Sequence, residues 1–115
     1  MKLNNITKKI IDCIKAKKGY DITILDIRDI SSLTDYFIIC TSDSEPQTRA
    51  IANHIKKELS REKIKPFQIE GLDYLEWVLM DYFDIVIHVF KKETREFYNI
   101  ERLWGDAKII KIDND

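Results

Sequence analysis

The chain is poor in the residues that usually carry chemistry. It has two cysteines, two histidines and three glycines in 115 residues, and its net charge is only −1. None of the glycines belongs to a G-x-x-x-x-G-K or G-x-G-x-x-G loop, so a backbone cradle for nucleotide phosphates is excluded. His54 and His88 show no H-x-x-x-H spacing and the cysteines no C-x-x-C spacing, which argues against a metal site. Cys13 falls in a helical pattern and Cys40 in an apolar run, so both are expected reduced and buried. No serine or cysteine sits in a nucleophile-elbow pattern, and no D-x-D or D-x-E occurs on an expected strand, as two-metal transfer would want. With so little net charge there is no overall basic field to gather nucleic acid or anionic lipid, although a local basic patch stays open. The apolar runs are too short to cross a bilayer.

What is present is an ordinary globular composition, 44% hydrophobic and 34% charged, in a length that suits one domain. The N-terminal "MKLNNITKKIIDCIKAKKGY" mixes lysines with isoleucines and resembles neither a secretory signal nor an Arg- and Ser-rich transit peptide, so a cytoplasmic protein is expected. Ile6, Ile10, Cys13 and Ile14 predict a first helix over 4–18, capped by Asn4 or Asn5. Strands follow at 21–27 and 34–41, the second without polar alternation and therefore central in a sheet. "SDSEPQ" predicts a helix start with Ser44 as cap, Pro46 in the first turn and Gln47 as capping-box partner, running to about residue 62. A short strand at 66–70, a hairpin at 76–90, a helix "KKETREFY", a compact "NIERLWGDA" and a short polar tail from about 108 complete the chain. The fold class is α/β, one mixed sheet of about five strands flanked by helices. The strands on either side of the second helix should run parallel in it.

The hairpin "EWVLMDYFDIVIHVF" is the most informative stretch. With Tyr82 and Phe83 central in the turn, Trp77 would face His88, Leu79 would face Val86 and Asp81 would face Asp84. One face then shows Trp77, Leu79, Val86, His88 and Phe90, the other only aliphatic residues suited to receive helices. For His88 a local hydrogen bond or stacking contact is the expected role, since no partner carboxylate or nucleophile accompanies it. The paired aspartates, Asp26 with Asp29 and Asp81 with Asp84, suit turn chemistry. Aromatics at Trp77, Tyr82, Phe83, Tyr98 and Trp104 have the composition of an interface centre, and a tight turn should point Tyr82 and Phe83 outward.

The blocks "TDYFIICTSDSEPQTRAIANHI", "EGLDYLEWVLMDYFDIVIHVF" and "REFYNIERLWGDA" resemble the three signature blocks of the ribosomal silencing factor family, also called RsfS or Iojap-like proteins. The resemblance runs from about Ile6 to Ala107. It implies a nucleotidyltransferase-like fold without catalytic carboxylates, hence no enzyme, no cofactor and no metal. It also implies binding to the large ribosomal subunit through its protein uL14, which blocks subunit joining and represses translation when nutrients are scarce. A homodimer when free, and no membrane or direct DNA binding, go with it. By position, the partner-binding residues would be Trp77, Leu79, Asp81, Tyr82 and Asp84, with Asp35, Tyr36, Tyr98 and Trp104 as secondary candidates serving the surface, the core or a dimer. The alternatives are a large-subunit assembly factor or an enzyme working through Asp26, Asp29 or Asp35.

The chain departs from the family pattern at three places. Phe83 stands where D-Y-G-D has glycine, Leu75 where glycine commonly precedes the E-W pair, and Thr41 to Ser44 replace S-G-x-S.

Overall fold

The two long helices begin where a side chain can satisfy their orphan N–H groups. In the computed structural model, which describes residues 4–113, Asn4 Oδ1 accepts from the Thr7 N–H at 2.8 Å and opens α1 (Asn5–Ala16). Ser44 Oγ accepts from the Gln47 N–H at 3.2 Å and opens α2 (Glu45–Arg61). Gln47 reaches back one residue further than a capping box requires, its Oε1 accepting from the Asp43 N–H at 2.7 Å. The buried stripe of α2 is Thr48, Ile51, Ala52, Ile55 and Leu59. Gly19 lets the chain turn tightly after α1, since a Cβ there would meet the Ile14 side chain at 2.5 Å.

Six strands form one sheet: β1 (Tyr20–Asp26), β2 (Tyr36–Ser42), β3 (Gln68–Glu70), β4 (Trp77–Asp81), β5 (Ile85–Lys91) and β6 (Lys108–Lys111), ordered β3-β4-β5-β2-β1-β6. The short helices α3 (Lys92–Tyr98) and α4 (Ile100–Leu103) precede β6. β2 pairs in parallel with β5, and all other neighbours are antiparallel. β3 therefore runs in the direction of β2, as expected for strands flanking a helix, but β4 and β5 stand between them. β2 is the central strand its unbroken apolar run predicted, with Ile38, Ile39 and Cys40 fully buried.

The polar tail expected from about residue 108 is instead the sixth strand. Ile109 pairs with Leu25 and Ile110 with Ile24, so β6 covers the open edge of β1, while Ile110 and Ile112 pack against the main core. Four residues reading Lys-Ile-Ile-Lys carry almost no local strand signal, and the partner that makes them a strand lies more than eighty positions earlier.

The core has two parts. The larger, between the sheet and the α1–α2 layer, holds Ile10, Ile14, Ile22, Ile24, Ile38, Ile51, Ile55, Leu59, Val78, Met80, Ile87 and Val89. The smaller lies on the opposite sheet face beneath the α3–α4 segment and is built from Leu25, Ile27, Ile39, Phe90 and Ile100. Cys13 and Cys40 are free and buried, as their positions predicted, and burial pushes both thiols up, to about 11 and about 12.

The hairpin register differs from the expected one. Trp77 pairs with Phe90, Leu79 with His88 and Asp81 with Val86, two residues along β5 from the predicted partners. The turn is centred on Phe83 and Asp84: the Tyr82 N–H donates to the Ile85 carbonyl at 2.9 Å and the Asp84 N–H to the Tyr82 carbonyl at 2.9 Å. Phe83 sits at φ +70, so this i to i+2 closure is of the rarer, positive-φ kind. A shift of two leaves every side chain on its predicted face.

Candidate partner-binding surface

The half of the second sheet face that α3 and α4 leave open is the candidate site. β4 places Trp77, Leu79 and Asp81 on it by the two-residue period of a strand, and β5 adds Val86, His88 and Phe90. β2, in parallel register, places Phe37 beside Val86 and Ile39 beside His88. Trp77, Leu79, Asp81, Val86 and Phe37 are all half-buried, neither sealed in the core nor fully solvated.

The aromatic rings support one another. Trp77 stacks on Phe90 with centroids 4.7 Å apart and lies 5.0 Å from the ring of Tyr98. Phe37 meets His88 edge-on at 4.7 Å and Trp104 edge-on at 5.4 Å. The indole N–H of Trp77 donates to Nδ1 of His88 at 3.1 Å. His88 is only 4% exposed, and burial alone lowers its pKa to about 4, so the ring is neutral and Nδ1 is free to accept. The proton then resides on Nε2, which is buried without a hydrogen-bond partner among the described residues. Local bonding and stacking, the expected role of His88, is what the ring does.

At the hairpin tip, Asp81 Oδ1 accepts from the Phe83 N–H at 2.8 Å, and Asp26 Oδ1 likewise accepts from the Arg28 N–H at 3.2 Å. Both are the turn chemistry anticipated for these aspartates. The Asp84 carbonyl accepts from the N–H groups of Asp35 and Tyr36, at 3.0 and 3.1 Å, so Asp35 and Asp84 lie together and both are exposed. An acidic edge thus borders the aromatic face.

The nine candidates divide between the two faces. Trp77, Leu79, Asp81, Tyr98 and Trp104 come together on the open side, with Asp84 and Asp35 at its edge. Tyr82 does not join them. Following directly on the paired ladder, it shares the parity of Val78 and Met80 and turns into the main core, 9% exposed, where burial pushes its hydroxyl up to about 12. The outward Tyr82 expected from a two-residue turn is therefore corrected by the register. Tyr36 also belongs to the α1–α2 side, packed against the main core with the Arg28 guanidinium 5.1 Å from its ring.

Phe83 points outward as expected, 60% exposed, and contacts the equally open Phe67, one of several neighbours outside the expected set, at 5.1 Å between centroids. Phe67, placed beside the tip when its N–H donates to the Asp81 carbonyl at 2.7 Å, had no sequence signal beyond being an aromatic after Pro66. On α3 and α4, Phe97 and Leu103 are 80% and 77% exposed. Arg95 fastens this segment to the sheet. Its guanidinium donates to the Asp21 carbonyl at 2.5 Å, to Thr41 Oγ1 at 2.8 Å, to Thr23 Oγ1 at 3.2 Å, and in a fork to both carboxylate oxygens of Glu101. No pattern around "TREFY" points to that role, because its partners are scattered over two strands and a second helix.

Fold and face together define an α/β domain with a six-stranded mixed sheet, helices on both faces, and one aromatic, acid-edged region left open. The family model described as "Ribosomal silencing factor during starvation" matches residues 1–115, and the chain belongs to that family, RsfS. It is 44% identical to the ribosomal silencing factor RsfS of Bacillus subtilis, covering 84% of this chain and 82% of that one. A crystal structure of a Chromobacterium violaceum protein superposes with a TM-score of 0.85 at 37% identity, covering 91% of this chain and 88% of the other. The chain is also 30% identical to a Mus musculus protein named for mitochondrial assembly of the ribosomal large subunit, over 83% of this chain and 43% of that one.

Proposed function

We propose that this protein silences translation by binding the large ribosomal subunit through its protein uL14, thereby keeping the small subunit from joining. Family membership supports the silencing role. The observation that carries the binding mode is the open sheet face, where Trp77 and Leu79 sit half-buried between the aromatic α3 segment and the acidic edge of Asp35 and Asp84. Aromatic anchors ringed by charge are the usual make-up of an interface centre, and the acidic edge would steer and orient a basic ribosomal partner. The working state is cytoplasmic, with a homodimer when free. The protein is read as a regulator without an enzymatic step. Asp26, the first acidic candidate for catalysis, is held by Arg28 Nε and Nη2 at 3.0 and 2.8 Å, which lowers its carboxyl pKa and commits both its oxygens.

The test is subunit joining. Purified subunits mixed with saturating protein and resolved on a gradient should show fewer intact ribosomes, and an unchanged fraction would sink the reading. The name of the mouse relative favours a second reading, action during large-subunit assembly through the same surface. Precursors of the large subunit accumulating in cells that lack the protein, with joining of mature subunits unaffected by it, would select that reading.

A further inference from the structure

The charge of −1 conceals a separation. Residues 4–19, which hold α1, carry five lysines against one aspartate, and residues 44–65, which hold α2, carry six cations against three glutamates; this layer is therefore +7 and the rest of the chain −8. Part of the positive layer is neutralised locally, at the end where α1 begins and α2 finishes: Lys9 pairs with Glu62 at 2.7 Å and Arg61 with Glu58 at 3.1 Å. Other cations of the layer enter no ion pair among the described residues: Lys8, Lys63 and Lys65 at that same end and, towards the end where α1 finishes, Lys17, Lys18, Arg49, Lys56 and Lys57, all exposed. Lys17, at the end of α1, shares a shallow cleft with Asn53, His54 and Lys57 on the flank of α2. Arg49 stands one turn before Asn53 on the same helix.

We infer that this end of the α1–α2 layer is a second contact surface, made for the phosphate backbone of RNA. Four properties favour that occupant. The cations are unpaired and mostly lysines, point charges suited to phosphate oxygens. Asn53 and His54 add side-chain nitrogens beside two of them, as hydrogen-bonding groups for sugar or phosphate. The surface lacks the aromatic anchors a protein partner would fill, since Ile6 is the sole exposed large apolar residue of either helix among those described. The same lack of apolar residues disfavours insertion into a lipid interface. The surface also lies on the opposite side of the sheet from Trp77 and Leu79, so both could be engaged at once. On the proposed reading that RNA would be ribosomal, but the inference concerns the surface itself.

The experiment is a titration of a short labelled RNA duplex with the full chain, from low to physiological salt. Binding should weaken with a log–log slope of about −0.9 per phosphate engaged. The triple variant Lys17→Gln, Arg49→Gln, Lys57→Gln should flatten that slope by about 2 to 3 and lose about tenfold or more in affinity at low salt. All three side chains are exposed, and an unchanged thermal midpoint would show that the fold is intact. Salt-independent binding, no binding at all, or equal affinity in the triple variant would overturn the inference. So would equally tight binding to polyglutamate or to phosphatidylserine vesicles, which would show a generic anion surface. Trp77→Ala separates the two readings: it should keep RNA affinity while losing large-subunit binding. RNA affinity without any subunit binding in the parent chain would sink only the silencing reading.

Discussion

The Trp77 indole donates to Nδ1 of His88 at 3.1 Å although the two residues are not cross-strand partners; they lie on the diagonal, with Leu79 opposite His88 and Phe90 opposite Trp77. Diagonal neighbours on one face are close enough for long aromatic side chains to meet. The bond fixes the indole in the open face and settles the histidine tautomer.

The burial of that imidazole makes stability depend on pH. A buried neutral imidazole with its pKa lowered to about 4, against 6.5 when unfolded, leaves the native state unprotonated while the unfolded chain takes up a proton. This contribution is complete above about pH 6.5 and is lost progressively down to about pH 4, a total of about 3 kcal/mol. Urea melts across that range should show the decline for the parent chain. In His88→Gln the slope over the same window should vanish.

Trp77 and Tyr82 should separate in a binding assay. Trp77→Ala removes an open-face ring and should weaken large-subunit binding by about 2 kcal/mol or more. Tyr82→Phe removes a buried hydroxyl that has no hydrogen-bond partner among the described residues, so it should leave binding unchanged and raise stability by about 1 kcal/mol. A loss of binding in Tyr82→Phe with stability intact would return that residue to the site.

Phe83 and Leu75, two of the three residues standing where the family pattern has glycine, have positive φ, +70 and +61. Each therefore holds a backbone that costs a non-glycine residue about 1 kcal/mol. Phe83→Gly should raise the thermal midpoint slightly, since the ring lost is exposed. Leu75→Gly should lower it, by about 2 kcal/mol or more in stability, because Leu75 is only 3% exposed and its side chain leaves a cavity. Stabilisation by both would mean that Leu75 contributes nothing to the core.

Arg95→Ala should loosen the α3–α4 segment. The change strands Glu101 and removes the bonds to Asp21, Thr23 and Thr41, a loss of about 3 kcal/mol. Arg95→Lys should recover little, for lysine has no fork. Hydrogen exchange over residues 92–107 reads the effect, with faster exchange expected there than in β2.

The layers, the helix caps and the division of the hairpin into two faces were all legible, because each follows from a local period or a short motif. Ser44 and Pro46 marked α2, and Trp77, Leu79 and His88 were assigned to one face from parity alone. What escaped was decided by distant partners or by one backbone angle. The left-handed Phe83 moved the turn by one residue and carried Tyr82 into the core. Arg95 found its acceptors on β1, β2 and α4, and Phe67 reached the tip only through β3 pairing with β4. None of these has a sequence period to betray it.

β6 has a consequence for solubility. Strand edges expose unpaired N–H and C=O groups that recruit other chains, and both edges of this sheet are short, three residues in β3 and four in β6. Lys108 and Lys111 bracket β6 with charge, while of the β1 residues it pairs with, Thr23, Ile24 and Leu25 are buried. Without β6 the sheet would end on β1, whose middle, Ile22 to Leu25, is uncharged and mostly β-branched, a template for aggregation. The few residues that resembled a tail are what makes the sheet stop at one molecule.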